Sequence, residues 1–262
     1  MPWGKARTVF HKTEAGHGRE LQSPRGLRES AWVMGFAARA LPVQPSPCFD
    51  LEAALMDQYH GPVAGIDEAG RGPWAGPVVV AAVILNPDRI PEGLNDSKLM
   101  TPEAREDRYG EIVATSIVSV VIGPVRRIDR DNILQASLWG MRAAYRGLAV
   151  PAGAALIDGN IIPRRFPCRA RAIVGGDGLS LSVAAASIVA KVTRDRLMVK
   201  LSRRYRRYGW ERNKGYGTPE HAAAIKKHGV CTHHRRSFSP IEEALRLLNE
   251  QSADVAPPSQ EF

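Results

Sequence analysis

Apolar residues along this chain recur with two spacings, and the change from one to the other marks out the elements. Val63 to Asp67 is a short apolar run closed by an acid, with Glu68 directly behind it. Gly76 to Leu85 is a β-branched run of the kind that forms a strand buried on both faces. Ile117 to Ile122 predicts a further strand, Ala154 to Asp158 another that also ends in an acid, and Ala172 to Val174 a short last one. Helical spacing takes over at Leu134, Leu138, Met141, Tyr145 and Leu148. It returns from Ser182, where Ala186, Ala190, Thr193, Leu197 and Leu201 predict one apolar face on a long helix ending near Gly209. Thr101-Pro102 and Thr218-Pro219 each pair a capping hydroxyl with proline at the first helical position. Ser239-Pro240-Ile241-Glu242 has the spacing of a capping box. Strands come early and helices late, so the expected class is α/β: a mixed sheet flanked by helices, with a helical C-terminal part.

Residues 1–57 carry scattered Pro, Gly, Ser and Arg without either period, and are expected to be a flexible or disordered extension with a short helix around Leu51 to Tyr59. Glu14, Glu20 and Glu29 argue against a targeting peptide there, and a start codon assigned too far upstream accounts for the segment equally well. One domain is expected over 58–250, followed by a disordered tail over 251–262.

Charge narrows the reading. The 262 residues carry a net +9, yet Lys191 to Arg236 alone holds 14 Lys and Arg against 3 Asp and Glu. A localised excess of cations points to a polyanionic partner, because neutralising a phosphate backbone releases its counterions. Cys48, Cys168 and Cys231 are odd in number and widely spaced, which argues against a disulfide framework and fits a reducing cytoplasm. Val78 to Leu85, the longest purely apolar run, is too short to cross a bilayer, so the expectation is a soluble cytoplasmic protein that needs no second copy.

Candidate chemistry lies in four carboxylates. Asp67 and Glu68 follow one apolar run, Asp158 ends another, and Asp177 stands between Gly176 and Gly178 before the long helix. Acids at strand ends of one sheet can converge, and several hard oxygen donors at one point suit Mg²⁺ or Mn²⁺. Two such ions can activate water and stabilise the leaving oxygen of a phosphodiester. Taken singly, Asp158 or Asp177 could equally be a cap or turn residue, a reading that suits the adjacent pair Asp67-Glu68 less well. His221, His228, Cys231, His233 and His234 match no standard zinc spacing, and packing or polar contacts are the preferred reading. The run Arg203-Arg204-Tyr205-Arg206-Arg207-Tyr208 reads as a phosphate-tracking surface with interleaved aromatics, the alternative being a solvated helix end with cations at its negative dipole terminus.

Gly65-Ile66-Asp67-Glu68-Ala69-Gly70-Arg71-Gly72-Pro73 closely resembles the N-terminal motif of the ribonuclease HII family, the bacterial type 2 ribonucleases H. Further motifs follow in that family's order: Leu94-Asn95-Asp96-Ser97-Lys98, Ile128-Asp129 with Asn132-Ile133, Ile157-Asp158-Gly159-Asn160, and Gly176-Asp177. Ala184-Ala185-Ala186-Ser187-Ile188, Ala190-Lys191-Val192, Lys214-Gly215-Tyr216 and His233-His234-Arg235-Arg236-Ser237-Phe238 complete the set, over roughly residues 62–245. The resemblance implies a ribonuclease H-like fold and metal-dependent hydrolysis of RNA in RNA–DNA hybrids. It also implies cleavage 5′ of single ribonucleotides in duplex DNA, which starts ribonucleotide removal. Asp67, Glu68, Asp158 and Asp177 fall on its catalytic acids, the first three on its metal ligands for Mn²⁺ or Mg²⁺. Gly70, Arg71 and Gly72 fall on its ribose-reading loop and Tyr216 on the tyrosine that stacks on the next sugar; apart from the resemblance, Lys98 and Lys191 are candidate phosphate contacts. This chain departs from the family at Gly175 and Leu99, where lysines are frequent. The alternatives are a ribonuclease HIII-like hybrid nuclease and a hybrid-binding protein without catalysis.

Overall fold

The computed structural model of the chain describes residues 46–253. Five strands, β1 (Val63–Ala69), β2 (Val78–Ile84), β3 (Ile117–Gly123), β4 (Ala154–Asp158) and β5 (Arg169–Ile173), form one sheet in the order β3-β2-β1-β4-β5. β1 to β3 are antiparallel neighbours, while β1–β4 and β4–β5 run parallel, so the sheet is mixed. Eight helices accompany it among the described residues: α1 (Asp50–Tyr59), α2 (Pro102–Thr115), α3 (Val125–Asp131), α4 (Ile133–Arg146), α5 (Leu181–Ser202), α6 (Trp210–Asn213), α7 (Pro219–His228) and α8 (Ser239–Ala253).

All seven residues of β2 are buried, because both faces of the sheet are covered. On one face Ala64, Ile66, Val80 and Ala82 pack against Trp139, Met141 and Ala144 of α4. On the other, Val79, Ala81 and Val83 meet Ala185, Ile188 and Val189 of α5, which in turn lies under Ile112 of α2. The sandwiching explains a departure from expectation. Every residue from Ser182 to Ala190 is buried, so the first half of α5 has no solvent face, and the expected one-sided stripe is absent there. A run of alanines suits such a helix, since small side chains let it approach the sheet closely.

Gly65 shows how close. A Cβ built on it would lie 2.0 Å from the carbonyl carbon of Ser182, so β1 and the start of α5 touch backbone to backbone. Glu52 of α1 fastens the same place: its Oε1 accepts from Ser180 Oγ at 2.6 Å and from the Ser182 N–H at 2.7 Å. That helix is the one expected around Leu51 to Tyr59, and it packs against Val63 and Leu156 through Leu51, Leu55 and Tyr59. The rest of the expected extension, residues 1–45, and most of the expected tail, residues 254–262, lie outside the described residues.

Several boundaries differ from the sequence reading for physical reasons. β5 occupies Arg169–Ile173 rather than Ala172–Val174, and alternating arginines on this edge strand mask its period. α5 stops at Ser202, after which the chain turns through Gly209 (φ +65°) and carries Tyr208 and Trp210 inward. There they join Ala75, Met198, Ile225 and Ile241 in a separate C-terminal core. Tyr205 and Tyr208 therefore anchor the run of arginines and are not free to stack on bases, whereas Arg203, Arg204, Arg206 and Arg207 are exposed. At α8, Glu242 N–H bonds the carbonyl of Phe238, so the helix starts one residue before the capping box implied. No helix among the described residues is long and apolar enough to cross a membrane.

Gly65→Ala is expected to force β1 and α5 apart and cost about 3 kcal/mol, as overpacking of an unyielding backbone contact does. Urea unfolding of this variant beside Gly61→Ala, whose added Cβ would meet only ordinary contacts at 3.4 Å or more, checks it.

Candidate active site

β1 and β4 run parallel, with Ile66 paired to Ile157, so the acids one step further on, Asp67 and Asp158, emerge side by side at the same sheet edge. Side chains alternate along a strand, and Ile66 and Ile157 belong to the α4 face, which turns Asp67 and Asp158 toward α5. The Gly176 N–H donates to Asp158 Oδ1 at 2.8 Å, which draws the turn carrying Asp177 onto the end of β4. Lys98 Nζ reaches across to Asp177 Oδ2 at 2.8 Å and to Asp96 Oδ1 at 3.2 Å. Asp67 and Glu68, Asp158 and Asp177 thus adjoin at the C-terminal ends of β1 and β4.

Their surroundings leave them electrostatically strained. Burial, then the charges of Glu68 and Asp158, push the Asp67 carboxyl well above the usual carboxylate range. Burial raises Glu68 as well, opposed by Arg71 and reinforced by Asp158. Asp158 is raised by burial and by Asp177, against the lowering effect of the Gly176 hydrogen bond. Glu68 Oε2 is buried without a hydrogen-bond partner, while its Oε1 meets Arg71 Nη1 at 3.3 Å. Among the described residues no three His, Cys, Asp or Glu side chains stand as a closed metal-ligand set; the acids adjoin without converging fully.

Two serines fix the geometry without having drawn notice as site residues. Glu68 N–H and the Ser187 hydroxyl both donate to the Asp67 carboxyl, the former at 2.6 Å. Ser187 Oγ is 2.9 Å from Ser97 Oγ, and both serines are buried, so the loop carrying Lys98 is pinned to α5. Arg105 holds that loop from behind by donating to the carbonyls of Ser97 and Met100. Lys98 is consequently engaged by two acids, although partial burial alone would lower its pKa; Asp177, then Asp96, raise it instead. Lys191 is paired along α5 with Asp195 at 2.9 Å and contacts none of the four acids.

Beyond the acids the chain turns at Gly70 (φ +97°), a conformation that a side chain would strain. Gly70 is buried, Arg71 and Gly72 are exposed, and Tyr216 stands beside them: a Cβ on Gly72 would come within 3.8 Å of its ring. Tyr216 is 44% exposed, so its ring is available to a ligand and is not a core residue. Its backbone is held by a buried imidazole. Trp210 Nε1–H donates to His221 Nε2 at 3.1 Å, which leaves His221 Nδ1–H to donate to the Tyr216 carbonyl at 2.9 Å. His234 Nδ1 accepts from the Cys231 N–H at 3.0 Å, and its Nε2 lies 3.1 Å from His221 Nε2. Burial, then His221, push His234 down to about 3, so it is neutral at physiological pH. These two histidines are packed among Tyr208 and Trp210, in keeping with the packing reading.

Comparison with known proteins gives one family. A sequence profile described as ribonuclease HII matches residues 64–241. The chain is 56% identical over 195 residues to a ribonuclease HII of Xanthobacter autotrophicus, covering 74% of this chain and 78% of that one. It is 49% identical over 239 residues to a ribonuclease HII of Azorhizobium caulinodans, covering 91% and 92% of the two. Among solved structures, the ribonuclease H2 of Pyrococcus horikoshii is similar with a TM-score of 0.62 at 27% identity, covering 72% of this chain and 99% of that one.

Because the folded-state pKa of Asp67 is raised, its contribution to stability is fully present below the unfolded pKa of about 3.9 and is lost as pH rises through the folded value. Asp67→Asn keeps the acceptor for the Glu68 N–H and removes the charge. In chelator it is expected to melt above the parent at pH 8, with the gap closing toward pH 4.5. Thermal melts of the two proteins at both pH values check the sign.

Proposed function

The chain belongs to the ribonuclease HII family and is accordingly a nuclease of the ribonuclease H type; from that premise we propose that it cuts duplex DNA on the 5′ side of a single ribonucleotide, as well as the RNA strand of hybrids. Hydrolysis of that phosphodiester leaves a 3′-hydroxyl upstream and a 5′-phosphate on the ribonucleotide, and so begins its removal from DNA. The observation that carries this reading is the position of the acid cluster directly beside Gly70-Arg71-Gly72 and the exposed ring of Tyr216. A backbone free of side chains next to a hydrolytic centre suits recognition of a small sugar hydroxyl, the feature that separates RNA from DNA.

A divalent ion fits the donor set. Asp67, Glu68 and Asp158 offer hard oxygens, the Glu68 Oε2 is buried without a partner, and burial together with the charge of a neighbouring acid raises all three. Mg²⁺ or Mn²⁺ held by these three would relieve that repulsion and supply an activated water together with charge stabilisation at the leaving oxygen. The remaining work falls to the chain. Ser187 and the Glu68 N–H fix the rotamer of Asp67, Gly176 fixes Asp158, and Lys98 holds Asp177 at the margin of the cluster. Tyr216 lies against the loop where the sugar following the ribonucleotide would rest, and a 2′-hydroxyl there would crowd the ring. The exposed Arg203, Arg204, Arg206, Arg207, Lys226 and Lys227 give the duplex a positive surface. We assign this activity to one copy of the chain, with a catalytic unit that includes α1.

A labelled DNA duplex with one ribonucleotide, incubated with the protein and Mg²⁺ or Mn²⁺, is expected to be cut once, immediately 5′ of that nucleotide. Chelator is expected to abolish the cut, and Asp67→Asn to slow it at least about a hundredfold, as loss of a metal-site group does. Cleavage that ignores the ribonucleotide position, or an unchanged rate in Asp67→Asn, contradicts the assignment.

A further inference from the structure

Two guanidinium groups lie buried beneath the loop that joins β1 to β2. Arg194, from α5, is 1% exposed and Arg235, from the segment before α8, is 0% exposed. Neither lies within ion-pair distance of a carboxylate among the described residues. Their donors go to main-chain carbonyls instead. Arg194 reaches Pro77 O at 3.0 Å, Ala75 O at 3.1 Å and Lys214 O at 3.0 Å. Arg235 reaches Gly70 O at 2.6 Å, Arg71 O at 2.9 Å, Gly76 O at 3.0 Å and Pro77 O at 3.2 Å. Gly70 is required for this packing, since a Cβ there would lie 2.0 Å from Arg194 Nε.

The two groups do different things. Arg194 grips the base of the loop and the chain just before Tyr216. Arg235 takes two consecutive carbonyls, Gly70 and Arg71, on its two terminal nitrogens. A trans peptide is planar, with its N–H opposite its C=O. Two carbonyls converging on one planar guanidinium therefore turn the N–H groups of Arg71 and Gly72 away from it, to the exposed side. No acceptor among the described residues takes either N–H. The Arg71 side chain pairs with Glu68, and Gly72 adjoins the Tyr216 ring.

We infer that Arg235 is a positioning residue for substrate selection: it sets two adjacent peptides so that their N–H groups address the 2′-hydroxyl oxygen of the ribonucleotide, while Arg194 anchors the loop on which they stand. The inference rests on the ribose-reading role proposed for Gly70-Arg71-Gly72. An ammonium cannot replace the guanidinium here, because only the planar fork holds two neighbouring carbonyls in fixed relative orientation. Burial, followed by the charge of Arg194, pushes Arg235 down to about 9, so it is still a cation at neutral pH.

The test compares dissociation constants for two 20-base-pair duplexes, one all DNA and one with a single ribonucleotide, with Ca²⁺ in place of Mg²⁺ so that binding is read without cleavage. The ratio of the two constants counts only protein that binds, so partial unfolding of a variant does not enter it. The parent is expected to prefer the ribonucleotide duplex by roughly tenfold or more, the worth of one or two hydrogen bonds. Arg235→Lys is expected to bring that preference below about threefold with little change in affinity for all-DNA duplex. Arg127→Lys removes a buried guanidinium that pairs with Asp131 and lies over Trp139, away from the loop, and is expected to keep the preference, whereas a general loosening would move both variants alike. Should Arg235→Lys bind neither duplex, Arg235→Gln repeats the comparison. A preference retained in the Arg235 variants, or lost equally in both arginine variants, overturns the inference while leaving the cleavage assignment intact. A parent without preference overturns the ribose-reading role itself.

Discussion

A positive charge placed inside a protein has to be compensated, and here two guanidinium ions are compensated chiefly by peptide carbonyls, with the rings of Tyr216 and Phe238 beside them. Arg194 and Arg235 together make seven hydrogen bonds onto six carbonyls. The desolvation cost of each ion is large, and a carbonyl withdrawn from it would leave part of that cost unmet. The loop from Gly70 to Pro77 is therefore not free to drift. Its path is dictated by the two planar donor sets beneath it, and the exposed face of the loop follows from the buried one.

The same constraint joins parts of the chain that are far apart. β1 delivers Asp67 and Glu68 to the sheet edge, and the clamped loop begins right after them. α5 supplies Ser187 to orient Asp67 and, two turns later, Arg194 to hold the loop. The C-terminal core supplies Arg235 and, through His221, fixes the backbone of Tyr216. The acids at the sheet edge and the loop beside them share one rigid frame, because the backbone contact of Gly65 with Ser182 leaves α5 and β1 no room to slide. Preorganisation of this kind is what a centre needs if it is to bring several carboxylates and a sugar hydroxyl into register.

Much of the frame is legible in the sequence because it follows local rules. β-branched runs became strands, Thr101 and Thr218 cap helices by accepting from Ala104 and His221, and acids at the ends of apolar runs met at one edge. Tertiary context hid the rest. Arg194 and Arg235 count among the 14 cations of the basic stretch, yet both are buried, so part of that charge faces the loop and not the solvent. Tyr205 and Tyr208 have the spacing of a stacking platform but were drawn inward by the aromatic core around Trp210. The pairings of Lys98 with Asp177 and of Lys191 with Asp195 are likewise not visible as such in the sequence. Glu52 lies in a segment without periodicity, and its hold on Ser180 and Ser182 depends on a partner more than a hundred residues away. A lone Gly such as Gly65 carries no local sign that a helix will press against it.

The central claim is that the outward N–H groups of Arg71 and Gly72 are held ready for a ribose hydroxyl. Amide hydrogen exchange at these two residues, followed by NMR with Ca²⁺ present, tests it most directly. Both amides are expected to exchange rapidly in the free protein, to remain rapid with an all-DNA duplex, and to slow markedly with a duplex containing one ribonucleotide. Protection already present in the free protein, or equal protection by both duplexes, would contradict it.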